Sequence, residues 1–399
     1  MKTKISAACI ALLVLAAPGI LRGRDIDLDA VYIDTESDLY RRLVEKKLEA
    51  YQKAGAQFVD RDVIFAWWSD GFTILYVKEL RGTNIVYSYD RNRRRSREIA
   101  RVEGALTGIR SSLGGRYVFI KRIMERRNAV PKGETLMLDL RSREQKILEP
   151  AGPFIDFSLS PGGNAIIYES KNGMLEYSPG GGRRTSVVVR SAYSDMARSG
   201  DPVIAHLSPN RRKILFVSGS GGSYRARLSA GRQSRELAGI TSSSELFWID
   251  NDRVACRRGG AGNYTVEIFN AATGRFNVLL EDSLNTNICY SPVPGMLSFL
   301  HQQMIHFYDV RSGEHTVTGI EGEDVGFSPD GNRFISLYLK RLFLTGTVTS
   351  RKKRPELAAV ALDIAGLYKK VLDSGKVFSN DYSKEYARKK IYVYRKFAR

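Results

Sequence analysis

Phe327-Ser328-Pro329-Asp330-Gly331-Asn332-Arg333-Phe334-Ile335 is the stretch whose reading decides the fold. Apolar β-formers flank a corner in which Pro presets φ at the first turn position, while Asp, Gly and Asn accept the bends that follow. The stretch predicts strand, tight turn, strand. The same device recurs as Phe157-Ser158-Leu159-Ser160-Pro161-Gly162-Gly163-Asn164-Ala165-Ile166, as Leu207-Ser208-Pro209-Asn210-Arg211-Arg212 and as Trp68-Ser69-Asp70-Gly71. Weaker copies are Ser112-Leu113-Gly114-Gly115-Arg116, Trp248-Ile249-Asp250-Asn251-Asp252-Arg253 and Tyr290-Ser291-Pro292-Val293-Pro294-Gly295. Equivalent positions fall at Ser69, Ser112, Ser160, Ser208, Ile249, Ser291 and Ser328, spaced by 43, 48, 48, 41, 42 and 37 residues. Self-similarity at this period marks a repeat architecture.

A second marker follows each corner by roughly half a period: a strand ending in a polar turn, then a further strand. Examples are Tyr87-Ser88-Tyr89-Asp90, Leu136-Met137-Leu138-Asp139, Val266-Glu267-Ile268-Phe269-Asn270 and His306-Phe307-Tyr308-Asp309, the last running into Arg311-Ser312-Gly313-Glu314. About four strands per period match one propeller blade. The expected fold is all-β: a seven-bladed β-propeller of four-stranded antiparallel blades over 62–350, with flanking N- and C-terminal helices.

The corner and the Tyr308-Asp309-Val310-Arg311-Ser312-Gly313-Glu314 hairpin together resemble the TolB-type WD40-like (PD40) β-propeller repeat family. The resemblance covers most of the chain after the N-terminal segment and implies a fold more than an activity. Only a short strand and a helix precede the repeats here, whereas TolB carries an α/β domain in that place. TolB's partners are therefore not carried over.

Outside the repeats, Lys2 and Lys4 precede a short apolar run from Ile5 to Ala17, and Ala16, Ala17 and Gly19 offer a cleavage site. Residues 1–23 thus read as a signal peptide, with an uncleaved anchor as the alternative. The expected location is exported, periplasmic or secreted. Within 24–61, Asp25 to Asp34 alternates like a strand, and Ser37 or Asp38 caps a helix reaching Lys53 before Gly55. Its apolar stripe is Tyr40, Val44, Leu48 and Tyr51, with Leu39 and Leu43 beside it. Arg41, Arg42, Lys46 and Lys47 occupy the remainder, so the stripe is expected to pack on a neighbouring domain, with peripheral membrane contact left open. In 351–399, Pro355 opens a helix whose face is Leu357, Val360, Ala361, Ile364, Leu367, Tyr368, Val371 and Leu372. That face is expected to seal one side of the propeller. The seventh blade lacks a fourth strand. Ala30 to Asp34 is the candidate to complete it and Ile391 to Phe397 the alternative, because closure removes an open sheet edge.

The chemistry-bearing residues are sparse. His206, His301, His306 and His315 are the only histidines. His301 and His306 fall on adjoining strands or on one strand, where their odd offset would place them on opposite faces, so no metal site is expected from them. No zinc-protease helix motif, Walker loop or nucleophile elbow occurs, and Ser218-Gly219-Ser220-Gly221-Gly222-Ser223 lacks the lysine of a phosphate loop. No catalytic residue, metal or cofactor is assigned. Cys256 and Cys289 are a possible disulfide in an oxidising compartment.

What remains is charge. Lys and Arg total 62 against 43 Asp and Glu, a net of +19, which favours anionic partners and equally fits ordinary solubility. Lys78, Arg81, Arg122, Arg126, Arg127, Lys132, Arg257, Arg258, Lys340 and Arg341 fall in connections between second and third strands, and are the candidate binding residues. Arg91, Arg93, Arg94, Arg95, Arg183 and Arg184 make the opposite loops basic too, which weakens the focus. The expected protein is a non-catalytic, monomeric propeller that binds another protein or an acidic envelope component. A propeller lyase or hydrolase is the alternative, and nucleic acid is disfavoured because the chain carries an export signal and no recognised nucleic-acid module.

Overall fold

Among the described residues, four corners share one hydrogen-bond plan. At Ser112, Ser160, Ser208 and Ser328 the serine N–H donates to the carbonyl five residues on, at 2.8, 2.8, 2.9 and 2.9 Å. The Oγ accepts the N–H of that same residue at 3.0, 3.2, 3.0 and 3.1 Å. The residue three after the serine is Gly115, Gly163, Arg211 or Gly331, with φ of +67°, +64°, +61° and +70°. Its N–H returns to the serine carbonyl. Each serine is buried, so the hydroxyl satisfies a backbone donor that water cannot reach. Asp330 and Asn210 accept the N–H two residues on, as short polar side chains do in turns. The second marker works alike: Asp90, Asp139, Asn270 and Asp309 accept the N–H two residues on at 2.8–2.9 Å.

These corners join the first and second strands of seven four-stranded antiparallel sheets, the blades of a β-propeller. The computed structural model describes residues 33, 35–112, 115–124, 132–148, 157–161, 163–170, 173–187, 193, 196, 203–220, 223–231, 233–240, 246–260, 263–283, 288–291, 295–346, 355–374 and 381–399. Blade one uses strands between 63 and 103, blade two 105–148, blade three 157–186, blade four 203–237, blade five 246–283, blade six 288–321 and blade seven 324–346. Two compact units divide them.

The unit of blades one to five holds itself together through apolar side chains. Leu75, Val77 and Val86 of blade one share a core with Val118, Ile120, Leu136 and Leu138 of blade two. Each of these is at most 2% exposed, and burying one such side chain stabilises by about 1.5–3 kcal/mol.

The other unit holds blades six and seven with three helices: α1 (Asp38–Lys53), α2 (Pro355–Asp373) and α3 (Asp381–Ala398). Ser37 caps α1, its Oγ accepting Tyr40 N–H at 3.2 Å, and Gly55 at φ +71° follows its end. Blade seven is completed by Gln57–Asp60, which pairs antiparallel with Arg341–Gly346 at Gln57↔Leu344 and Phe58↔Phe343. Both expected closing strands are therefore corrected. Ala30 to Tyr32 and Asp34 lie outside the described residues, and Ile391 to Phe397 is the interior of α3. The reason is periodicity: Tyr386, Ala387, Lys390, Val393 and Tyr394 are buried at helical spacing.

The helices pack on one another and against the outer strand of blade six, His315–Glu321. The burial of α2 matches its predicted face, with Leu357, Val360, Ala361, Ile364, Leu367, Tyr368 and Val371 all covered. On α1 the pattern misleads at one place: Lys47, expected on the polar side, is 2% exposed.

Candidate functional site

The candidate cations meet different fates. Arg122 donates to Glu134 Oε2 at 3.0 Å and to the Glu103 carbonyl at 3.2 Å. Arg258 donates to Glu267 at 2.8 Å and to the Ala238 carbonyl at 3.0 Å, and lies 3.9 Å from the Phe276 ring centroid. Arg257 is buried with its guanidinium 4.7 Å from the Tyr264 centroid. Those three are engaged by neighbouring residues of the unit of blades one to five. Lys78 sits 6.0 Å from the Tyr87 ring centroid. Arg81 and Lys340 occupy hairpin tips at φ +52° and +56° and are exposed, as expected of two-residue turns with both central residues at positive φ. Lys132 begins the strand Lys132–Asp139. Arg126 and Arg127 lie outside the described residues.

Arg341 is different. It borders a cleft of about 510 Å³ lined by Leu48, Tyr51, Ala56, Phe58, Arg61 and Phe343, with Gln52 and Asp60. The cleft forms where the last turn of α1 meets the added strand Gln57–Asp60. Its floor is aromatic: Tyr51 stacks on Phe343 at 4.2 Å, and Phe58 meets Phe343 edge-on at 6.0 Å. Phe58 is 53% exposed, on a strand that forms the outer edge of its sheet. The outer strands of blades one to four carry cations instead, such as Arg97, Lys146, Arg184 and Arg235, a common protection of open edges. Among the described residues Arg341 makes no ion pair. An apolar pocket with a guanidinium at its rim can take an apolar side chain and a neighbouring carboxylate together. Arg61 and Phe58 were not singled out in the sequence, because the strand that presents them is too short to be read there.

A second group of polar residues is closed to solvent. Glu321 pairs with Lys47 at 2.7 Å and with Lys390 at 2.6 Å, all three at most 2% exposed. Tyr394 donates to Glu321 at 2.7 Å, and Lys390 also donates to the Gln302 carbonyl and to Gln303 Oε1 at 2.6 and 3.0 Å. Tyr51 donates to the Glu321 carbonyl, and burial pushes its phenol far above the usual range. The group ties α1 and α3 to blade six.

Of the two placements the sequence allows for His301 and His306, the structure has them on adjoining strands. His301 ends one strand and His306 lies on the next, and the pairs Phe299↔His306 and His301↔Met304 put both on the same face. Among the described residues no group of three or more His, Cys, Asp or Glu could hold a metal ion. No disulfide joins Cys256 to Cys289 in the structure, which corrects that pairing. Burial pushes the Cys256 thiol up to about 12.

No protein-family profile matches the chain, and no curated protein matches it either. Solved structures do. An oligogalacturonate lyase from Vibrio parahaemolyticus is similar at a TM-score of 0.50 and 10% identity, covering 74% of this chain and 92% of that one. A chain of a mitotic checkpoint complex is similar at 0.50 and 11% identity, covering 73% and 94%. TolB from Acinetobacter baumannii matches at 0.38 and 20% identity over 55% of this chain, and the match spans 54% of TolB. Likeness at these identities concerns the fold alone.

Proposed function

We propose that the chain is an exported, non-catalytic propeller of the cell envelope that binds another protein, using the cleft beside Arg341 as its anchor pocket. The observation that carries this reading is a guanidinium with no ion pair among the described residues, at the rim of an aromatic-floored cleft beside the exposed Phe58. Interfaces are dominated by a few aromatic and Arg contacts in such pockets. The net charge of +19 makes an acidic partner the complementary one. Export rests on Lys2, Lys4 and the apolar run that follows; among the described residues no helix is long and apolar enough to cross a membrane. A mitotic checkpoint complex is by its name an assembly and an oligogalacturonate lyase by its name an enzyme, so the fold serves both classes. The pocket chemistry favours the first.

The test is capture of partners from envelope extract by the intact chain, by Arg341→Glu and by Phe58→Ser, at low and high salt. The expected result is a partner retained at low salt and lost in both variants and on raising the salt. Capture indifferent to both substitutions contradicts the reading.

A further inference from the structure

We infer that the C-terminal end of α3 is an acid-released latch on blade six. The inference is independent of the cleft and goes beyond partner binding.

Three of the four histidines gather on one face of blade six. His306 and His315 come from neighbouring strands, paired as His306↔Val317 and Tyr308↔His315, and their Nδ1 and Nε2 atoms are 2.9 Å apart. The His301 ring meets His306 at 5.6 Å, and Phe299 lies against His306 and His315 at 5.4 and 5.5 Å. His306 is 5% exposed, and its Nε2 has no hydrogen-bond partner among the described residues. The last turn of α3 belongs to the same place. Lys396 bears on both His306 and His315. Phe397 occupies the space above Gly319 so closely that a Cβ there would lie 2.4 Å from its ring.

This arrangement disfavours charged imidazoles. A ring-to-ring N–H···N bond needs one of the two nitrogens unprotonated, so charging both rings breaks it. A proton on His306 Nε2 would be a buried donor without an acceptor. The ionisable groups that act on His306 are His315 and His301 from the flanking strands and Lys396 from α3, and all are basic. Burial first, then these neighbours, hold His306 well below the usual imidazole range, and burial and Lys396 lower His315. A base whose docked value is depressed binds protons better once released. Docking is therefore at full strength above about pH 6.5 and weakens as pH falls below it. Acid charges the pair against Lys396, and the lysine and Phe397 leave together with the end of α3.

Amide hydrogen exchange of the full chain at about pH 7.5 and about pH 5, corrected for intrinsic exchange, reads this directly. Protection of Tyr392–Arg399 and His315–Gly319 is expected to fall by up to about tenfold per pH unit for each histidine that gains a proton on release. His306→Phe combined with His315→Gln is expected to flatten that response. Lys396→Met, at an exposed position that leaves the core untouched, is expected to reduce it. Equal corrected protection at both pH values in the unaltered chain overturns the inference. So does an acid response that persists at full size in Lys396→Met.

Discussion

Blade one and blade six follow the same four-strand plan and differ in what their second hairpin meets. In blade one the tip is Arg81-Gly82, exposed, and the outer strand ends at Glu103, also exposed. In blade six the tip is Gln302-Gln303, 2% and 5% exposed, and the outer strand ends at Glu321, 2% exposed. The registers correspond: Thr83 faces Glu103, and Met304 faces Glu321. One position in the repeat is thus a solvated carboxylate in one blade and the centre of a buried ionic group in another. The repeat dictates backbone; the elements packed against a blade decide what its tips do. Gln302 and Gln303 hold φ of +50° and +65° without being glycine, a conformation any two-residue hairpin of this kind demands. Blade six adds the burial, because Lys390 and Tyr386 of α3 reach the tip.

The largest effect should come from breaking that contrast at its carboxylates. Glu321→Ala leaves two buried ammonium groups without their shared counter-ion, and should destabilise the unit of blades six and seven by about 3–5 kcal/mol. Glu103→Ala should stay within about 0.5 kcal/mol. Urea midpoints of the two variants compare them, and equal shifts would show that Glu321 is no more than a surface residue.

A middle-sized effect separates conformation from contact at two glycines of the first unit. Gly82 has φ +77° and open space where a Cβ would go, whereas a Cβ on Gly115, at φ +67°, would lie 2.3 Å from the Ser69 carbonyl oxygen. Gly82→Ala should cost roughly 1–2 kcal/mol from φ alone. Gly115→Ala adds about 1–3 kcal/mol of crowding. Thermal midpoints that do not rank in this order would remove the close approach of the two corners from the account.

The smallest effect is a matter of access. Cys289, partly exposed, should be alkylated in the native chain, and Cys256, buried in blade five, only after unfolding. Mass spectrometry before and after denaturant distinguishes them. A linked pair resistant to alkylation without reductant would contradict the absence of a disulfide.

The corners were legible because their chemistry is local. Ser328, Pro329, Asp330 and Gly331 carry their turn within a few residues, and nothing distant is needed to read it. The α2 face was legible for a similar reason, since Leu357 to Val371 repeat at helical spacing. What escaped was set by neighbours. Gln57–Asp60 has too few residues to declare itself a strand, and completes blade seven only because Arg341–Gly346 offers an edge. Lys47 looks like a solvent-facing cation on an amphipathic helix until Glu321 is placed between it and Lys390. Ile391 to Phe397 has the β propensity of a strand, but Val393 and Tyr394 continue a helical stripe begun at Tyr386. At the candidate site, Arg341 was visible as a loop cation, whereas the aromatic floor of Tyr51 and Phe343 needed α1 and blade seven brought together. Arg122 and Arg258 looked equally available, and the acidic partners that engage them, Glu134 and Glu267, sit on the paired strand beyond the reach of a loop-by-loop reading.

The central claim is that a four-residue strand after α1 completes the last blade, and so creates the cleft. Amide exchange of Gln57–Asp60 alongside Arg341–Gly346 measures this most directly. The account predicts that the two segments gain and lose protection together as denaturant rises. Free exchange in Gln57–Asp60 while Arg341–Gly346 and Arg333–Tyr338 stay protected would contradict it.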